Sequence, residues 1–286
     1  MLAGIPWVNH QAKKTQLVVR ASKILISRTA RFYEISAIAL KYCHFPSRKR
    51  ALKLTPIPLP TIEHLFRADL LCFVGCVAFF VAVPNADVWV SQQFFTPELG
   101  FTFDKHPIVL FSYVLFAQMH FWVIGALLVY LAWSFASGST KKVLVNLLHR
   151  RMAIFLLVVL FVGPGLIVNG IWKEHWGRAR PFEVQSFGGE RLYSPPMQPA
   201  QECDTNCSFV SGHAAMGFYW LSLAWVLKRR YWLLVGLVLG SFVGLGRILQ
   251  GNHFLSDIVF SFWTVYFSAC VIATCFGLHF QKKEVP

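Results

Sequence analysis

The chain has 286 residues, 56% hydrophobic and only 14% charged, where a soluble domain carries about 25% charged residues. With 27 Phe and 10 Trp, this composition excludes an ordinary soluble globule and points to an integral membrane protein with several spans. The formal charge of +14 then reads as positive cytoplasmic loops and attraction to anionic lipid, and no nucleic-acid partner is expected.

Residues 1–60 form a basic N-terminal extension, predicted to be cytoplasmic or poorly ordered, ahead of a membrane domain over residues 61–286. Lys13, Lys14, Arg20, Lys23, Arg48, Lys49 and Arg50 are among its cations, and Glu34 is its acid. No uninterrupted apolar core follows the first charges, so a cleavable secretory signal is not expected. An amphipathic segment on the membrane, an organelle-targeting segment and a loose tail all fit, the first and last best. Pro56, Pro58 and Pro60 break the chain before the apolar part.

Six apolar runs follow: about Leu70–Val83, Ile108–Ala136, Met152–Trp172, Phe209–Leu227, Tyr231–Ile248 and Leu255–Phe280. They predict an all-α polytopic membrane protein with six transmembrane helices. Lys141, Lys142, Arg150 and Arg151 join runs two and three, Lys228, Arg229 and Arg230 join runs four and five, and Lys282 and Lys283 follow run six. By the positive-inside rule these connections and both termini are cytoplasmic. Lys173, Arg178, Arg180 and Arg247 then lie on the side that disfavours them, which argues for an anionic client.

Three clusters carry chemistry. The first is Lys173-Glu174-His175-Trp176-Gly177-Arg178-Ala179-Arg180-Pro181. Lys173 and Arg180 are seven apart and face the same way if the helix continues to Pro181; cations snorkelling at a membrane boundary give the same pattern. The second is Ser211-Gly212-His213 at the start of an apolar run, where free amides bind anions and His213 could serve as a general acid. Ser211 also suits a plain N-cap. The third runs from Arg247 to Asp257. His253 and Asp257, four apart, share a face on a helix; a carboxylate can orient an imidazole there, or the two merely satisfy each other. Arg247 offers forked hydrogen bonds to phosphate.

The order Lys, six residues, Arg-Pro, then Ser-Gly-His, then Arg, five residues, His, three residues, Asp resembles the type 2 phosphatidic acid phosphatase family, whose pocket is shared with vanadium haloperoxidases. The resemblance covers roughly residues 70–280, and its bacterial lipid phosphatase members, including those acting on lipid A, look nearest. It implies a PAP2/haloperoxidase-like helical bundle. It also implies Lys173, Arg180 and Arg247 as phosphate ligands, with Ser211 and Gly212 adding hydrogen bonds. His253 would be the nucleophile of a phosphohistidine, Asp257 its orienter and His213 the leaving-group acid. Neither metal nor other cofactor enters that scheme. Val210 stands where the family usually has Pro, and Gly246 where it usually has Ser.

The polar connection between Arg180 and Ser208 is read as a cover over the site that helps select the head group. Cys203 and Cys207 flank three residues within it and are predicted to pair if that side is oxidising. Of seven cysteines, Cys72, Cys76, Cys270 and Cys275 read as small hydrophobes in apolar runs. The partners expected are the bilayer and a phosphorylated lipid: lipid A, undecaprenyl pyrophosphate, phosphatidylglycerol phosphate or phosphatidic acid. A bacterial inner-membrane location with a periplasmic site follows. The sequence leaves the oligomeric state open. A lipid-to-lipid phosphotransferase on the same site is the alternative, and an anion transporter a more distant one, because its cations should lie near the midplane rather than at helix ends.

Overall fold

The structure, a computed structural model, describes residues 68–136 and 143–278. The chain divides into two units, Met1–Pro58 and Leu59–Pro286, and every described residue lies in the second. The basic extension, Lys141, Lys142, Lys282 and Lys283 lie outside the described residues.

Helix α1 spans Ala68–Ala82. Pro84, with no amide hydrogen, follows it, and the chain bends by 80° into α2, Ala86–Gln92. A short hairpin pairs β1, Phe95–Thr96, with β2, Gly100–Phe101. Helix α3, Pro107–Ala136, opens on a proline, whose missing donor costs nothing in a first turn. Helix α4, Val143–Leu160, runs on through a π-helical stretch, Phe161–Trp172, to Lys173–His175. Pro164 lies in the wide-turned part, and its carbonyl accepts instead from the Asn169 side chain at 2.8 Å. Helix α5, Gly212–Phe218, passes through a 3-10 turn, Tyr219–Ser222, into α6, Leu223–Val226. Helices α7, Tyr231–Leu249, and α8, Leu255–Cys275, complete the bundle.

The centre of the bundle is the Gly212–Val226 run. Ala214, Ala215, Phe218, Leu221 and Ala224 are buried against Phe155 and Val159 of α4, Val243 of α7 and Val265 and Ala269 of α8. Glycine allows the closest approach: a Cβ on Gly217 would sit 2.6 Å from the Gly240 Cα, and one on Gly236 2.3 Å from the Leu221 nitrogen. Helix α3 differs, burying only Val109, Ser112, Phe116 and Ser134, while Phe111, Phe121, Trp122, Val129 and Trp133 face outward. An outward face this apolar fits a hydrocarbon solvent.

Among the described residues four helices are long and apolar enough to cross a membrane, and a fifth is counted if the bent pair α1–α2 is one span. The run expected over Phe209–Leu227 is not a single helix. It is split into three short pieces where the α7 backbone presses against Leu221. Two other expectations are corrected. The helix carrying Lys173 ends at His175, and Gly177, at φ +67°, turns the chain so that Arg180 sits in extended backbone. His253 is not on a helix at all: α8 begins at Leu255, and His253 precedes its N-cap, Phe254.

Candidate active site

A cavity of about 340 Å³ lies where the ends of α3, α4, α5, α7 and α8 meet, lined by Tyr113, Lys173, Arg180, His213, Arg247 and His253, among others. Five of the residues expected at the site therefore reach one space from five separate places in the chain. Lys173 comes from the last turn of α4, Arg180 from the extended segment beyond it, His213 from the first turn of α5 and Arg247 from the last turn of α7. His253 follows the turn made by Gly251, at φ +65°, where a Cβ would run into the Phe101 ring at 2.2 Å.

Ser211 and Gly212 stand one layer back. The Ser211 hydroxyl accepts from the Ala214 amide, as an N-cap does, and its own amide donates to the Asp257 carbonyl. The first intrahelical bond of α5 is Ala215 to Ser211, so the amides of Gly212 and His213 precede any helical acceptor. A Cβ on Gly212 would meet the Asn169 side-chain oxygen at 2.7 Å and the Lys173 Cε at 3.4 Å. Glycine lets the Asn169 side chain close on the start of α5, with Lys173 in ordinary contact beside it.

Asp257 is fully buried behind His253, its Oδ2 3.4 Å from the imidazole Nδ1. That carboxylate is held by other donors: Arg178 at 2.8 Å, the Phe254 amide at 2.8 Å and the Ser208 hydroxyl. Arg178, expected from its position to meet an anionic client, does not reach the cavity. It is fully buried, with Nη2 2.7 Å from Asp87 of α2, Nη1 also on the Ser256 hydroxyl at 2.8 Å and Nε on the Ser194 carbonyl at 2.9 Å. Burial by itself would weaken its charge. The Asp257 and Asp87 carboxylates outweigh that and hold the guanidinium firmly protonated. The neighbouring Tyr193 phenol is pushed up, by burial first and then by Asp87.

Several buried polar atoms of the cavity's residues make no hydrogen bond among the described residues: Arg247 Nε, His213 Nε2 and both ring nitrogens of His253, of which Nδ1 has Asp257 at 3.4 Å and Nε2 has no such neighbour. Buried polar groups are normally satisfied, so this grouping marks a place built to meet a ligand. The His253 imidazole is pushed well below its ordinary value, first by burial and then by Lys173, Arg247, Arg180 and His213. It stands neutral beside three cations, with a lone pair available on a ring nitrogen.

Most of the connection from Arg180 to Ser208, read as a cover, packs away from the cavity lining. Besides Arg180 itself, its cavity-lining residue is Asn206. Its two 3-10 turns, Pro181–Glu183 and Gln185–Phe187, pack Val184 and Phe187 with Phe101 and Phe254 into a small apolar cluster of their own. Cys203 and Cys207 are joined by a disulfide.

Reading by motif also missed residues. Tyr113 of α3 stacks on His213 with ring centroids 4.7 Å apart and carries Arg247 over its face at 4.7 Å. A hydroxylated ring inside an apolar run was its one signal. Asp87 was legible only as an acid at the end of an apolar run. Asn206, Gln250 and Asn252 had no signal of their own. At Gly246, Ser112 Oγ of α3 stands 3.2 Å from where a Cβ would be, so a side chain at 246 would need that hydroxyl to give way by a few tenths of an ångström.

Two relatives resemble the chain along most of its length, and a third along less than half of it. A protein of Francisella tularensis subsp. novicida (strain U112) named lipid A 4'-phosphatase is 34% identical over 229 residues, 77% of this chain and 98% of that protein. A Rhizobium etli (strain ATCC 51251 / DSM 11541 / JCM 21823 / NBRC 15573 / CFN 42) protein of the same name is 31% identical over 77% of this chain and 92% of its own length. A Rhizobium leguminosarum protein of that name is 37% identical over 45% of this chain and 58% of its own. No solved structure matches the chain. The PAP2 superfamily matches residues 152–281, a stretch that contains every cation and both imidazoles of the cavity. With a relative aligned over nearly its whole length, these matches make the chain a member of the PAP2 superfamily.

Proposed function

We propose that the protein is a membrane phosphatase that removes phosphate from a phosphorylated lipid, with lipid A as the favoured substrate. The observation that carries this reading is the convergence of Lys173, Arg180 and Arg247 with His213 and His253 on one cavity of about 340 Å³. The relatives' shared name, lipid A 4'-phosphatase, favours lipid A over undecaprenyl pyrophosphate, phosphatidylglycerol phosphate and phosphatidic acid. A separate, almost wholly apolar cavity of about 470 Å³, lined by Phe73, Val162, Trp172, Phe209 and Trp263 among others, is a surface on which an acyl chain can lie.

In this reading the three cations take the phosphate oxygens and meet the charge that builds in the transition state. An imidazole nitrogen of His253 attacks phosphorus while Asp257, behind it, fixes the ring. The P–O bond to the lipid breaks, and His213, protonated against the negative charge of the bound phosphate, gives its proton to the departing oxygen. Water then attacks the phosphohistidine, giving up a proton to His213; the P–N bond breaks and phosphate leaves. No metal is called on, because the cations do the neutralising. Gly212 contributes through its amide at the start of α5, and Ser211 by capping that helix.

The reading includes six membrane crossings with the site on the periplasmic side of a bacterial inner membrane. Helix α7 has 19 residues, about 28 Å at 1.5 Å per residue, with Arg247 at its site end. The Gly212–Val226 run starts at the site and must cover the same depth before α7 returns. Arg150, Arg151 and Lys228–Arg230 then lie at the opposite, cytoplasmic end.

The test is phosphate release from a panel of the four lipids by full-length protein in detergent micelles, with and without chelator. Turnover of lipid A that survives chelator and vanishes in His253→Ala is the expected result. Wild-type activity in His253→Ala refutes the nucleophile. Recovery of labelled phosphate in a second lipid rather than as free phosphate makes the protein a phosphotransferase.

A further inference from the structure

The three cations of the cavity share a feature that the reaction scheme does not use. Each donates to a neutral amide oxygen. Lys173 Nζ is 2.9 Å from Asn206 Oδ1. Arg180 Nη1 is 3.0 Å from Asn252 Oδ1, and its Nη2 is 2.8 Å from the Asn206 carbonyl. Arg247 Nη1 donates to Gln250 Oε1. Among the described residues none of the three is ion-paired with a carboxylate. The acid that does line the cavity, Asp104, acts on Arg247 through space without an ion pair, and its backbone carbonyl accepts from Gln250 Nε2 at 3.4 Å.

Physical chemistry distinguishes these two kinds of partner. A carboxylate fixes a cation but cancels its charge, and an incoming phosphate must displace it. An amide oxygen fixes the cation and leaves its charge intact. Lysine has three donors and arginine five, so one or two bonds to amides leave further N–H groups for an anion. Three like charges around one small space also repel one another, and neutral acceptors are what can hold them in register without quenching them.

We propose that Asn206, Gln250 and Asn252 are positioning residues for phosphate recognition, an amide collar that orients Lys173, Arg180 and Arg247 while preserving their full charge. Asn206 is the pivotal member, because it alone contacts two of the cations. Its backbone lies in the left-handed region, at φ 51°, which Asn and Asp tolerate better than most residues. The Cys203–Cys207 disulfide closes the loop around it, and the Cys207 amide donates to the Lys173 carbonyl at 3.1 Å, docking that loop on the end of α4. The collar therefore comes from two loops: the disulfide loop, and the turn between α7 and α8 that also carries His253.

This inference rests on the phosphatase reading for its ligand but is tested without turnover. Binding of labelled inorganic phosphate to the full-length protein in micelles is measured by equilibrium dialysis for wild type, Asn206→Asp, Asn206→Gly and Gln250→Glu. The Asp and Glu variants keep the shape of the side chain and add a negative charge. Asn206→Gly removes the side chain, keeps the carbonyl and suits the backbone. The inference expects Asn206→Asp and Gln250→Glu to weaken phosphate binding by about tenfold or more, and Asn206→Gly to weaken it less. In turnover, the Asp variant raises KM for the lipid more than it lowers kcat. A residue that merely shapes the loop gives the reverse order, because Asp is the nearer replacement; that order, or wild-type binding in both charged variants, overturns the collar. The 206 and 250 substitutions lie on different loops, so misfolding of one leaves the other decisive. A wild-type protein that binds phosphate with this ranking yet releases none from any lipid overturns the hydrolase reading and leaves the collar standing.

Discussion

Nδ1 of His253 stands 3.4 Å from Oδ2 of Asp257, and both side chains are buried. The pair is made not by a helix face but by a helix start: Asp257 is the third residue of α8, its carboxylate accepts the Phe254 amide, and His253 lies just ahead of that cap. One carboxylate thus both caps the helix and stands beside the imidazole.

Substitution of that carboxylate follows directly. Asp257→Asn is expected to lower kcat by about 10²–10⁴-fold, the range for a positioned acid–base group. Its effect on KM should be small, because the three cations are untouched. Steady-state kinetics on the lipid substrate read both; a variant with raised KM and unchanged kcat would assign Asp257 to binding instead.

The depressed His253 value sets the acid side of the pH profile. In the proposed mechanism its neutral form is the nucleophile, and its folded value lies well below the usual 6.5 or so. The acid limb of kcat/KM due to this ring should therefore fall below the ordinary imidazole range. Part of the depression comes from Lys173, so Lys173→Gln should move the limb upward even as overall activity drops. The same shift has a stability sign. Between the folded value and about 6.5 the unfolded chain binds more protons, so stability rises with pH through that window and is lost as pH falls through it. An acid limb in Lys173→Gln that coincides with wild type would remove the electrostatic cause.

Arg178 bridges Asp257 to Asp87, with all three side chains at 0% exposure. Arg178→Met leaves two buried carboxylates without their cation and should cost about 3–5 kcal/mol. Asp87→Asn removes one of two charges from Arg178 and should cost less. Thermal unfolding in micelles, followed by tryptophan fluorescence, ranks the two. Equal stability of Arg178→Met and wild type would mean that the network is dispensable for folding.

Glycine contacts should separate sharply by position. Gly236→Val drives a Cβ to 2.3 Å from the Leu221 backbone nitrogen, whereas Gly125 of α3 has nothing within 4 Å of its Cβ position. Gly236→Val should fail to yield folded protein, and Gly125→Val should express and unfold like wild type. Size-exclusion profiles in detergent compare them; a well-folded Gly236→Val would show that the Tyr219–Ser222 turn and α7 can separate without loss.

Much of this was readable in one dimension. Apolar runs such as Leu255–Phe280 announce helices in a membrane because length and hydropathy are local properties. Lys173, Arg180, His213, Arg247 and His253 stood out because cations and imidazoles at the ends of such runs are costly without a reason. Contacts between distant segments were beyond it. Arg178 and Arg180 are chemically alike and two residues apart, yet one is locked between Asp87 and Asp257 and the other lines the cavity. Local spacing cannot tell them apart, because the positive-φ turn at Gly177 and the position of α2 decide which way each points. Asn206, Gln250, Asn252 and Tyr113 became visible only once the helix ends met. The residue types along the chain determined that it would bury helices in lipid and gather positive charge at their ends. Tertiary packing decided which charges face a ligand and which are spent on holding the fold, because a buried charge is set by its nearest partner in space rather than by its neighbour in sequence.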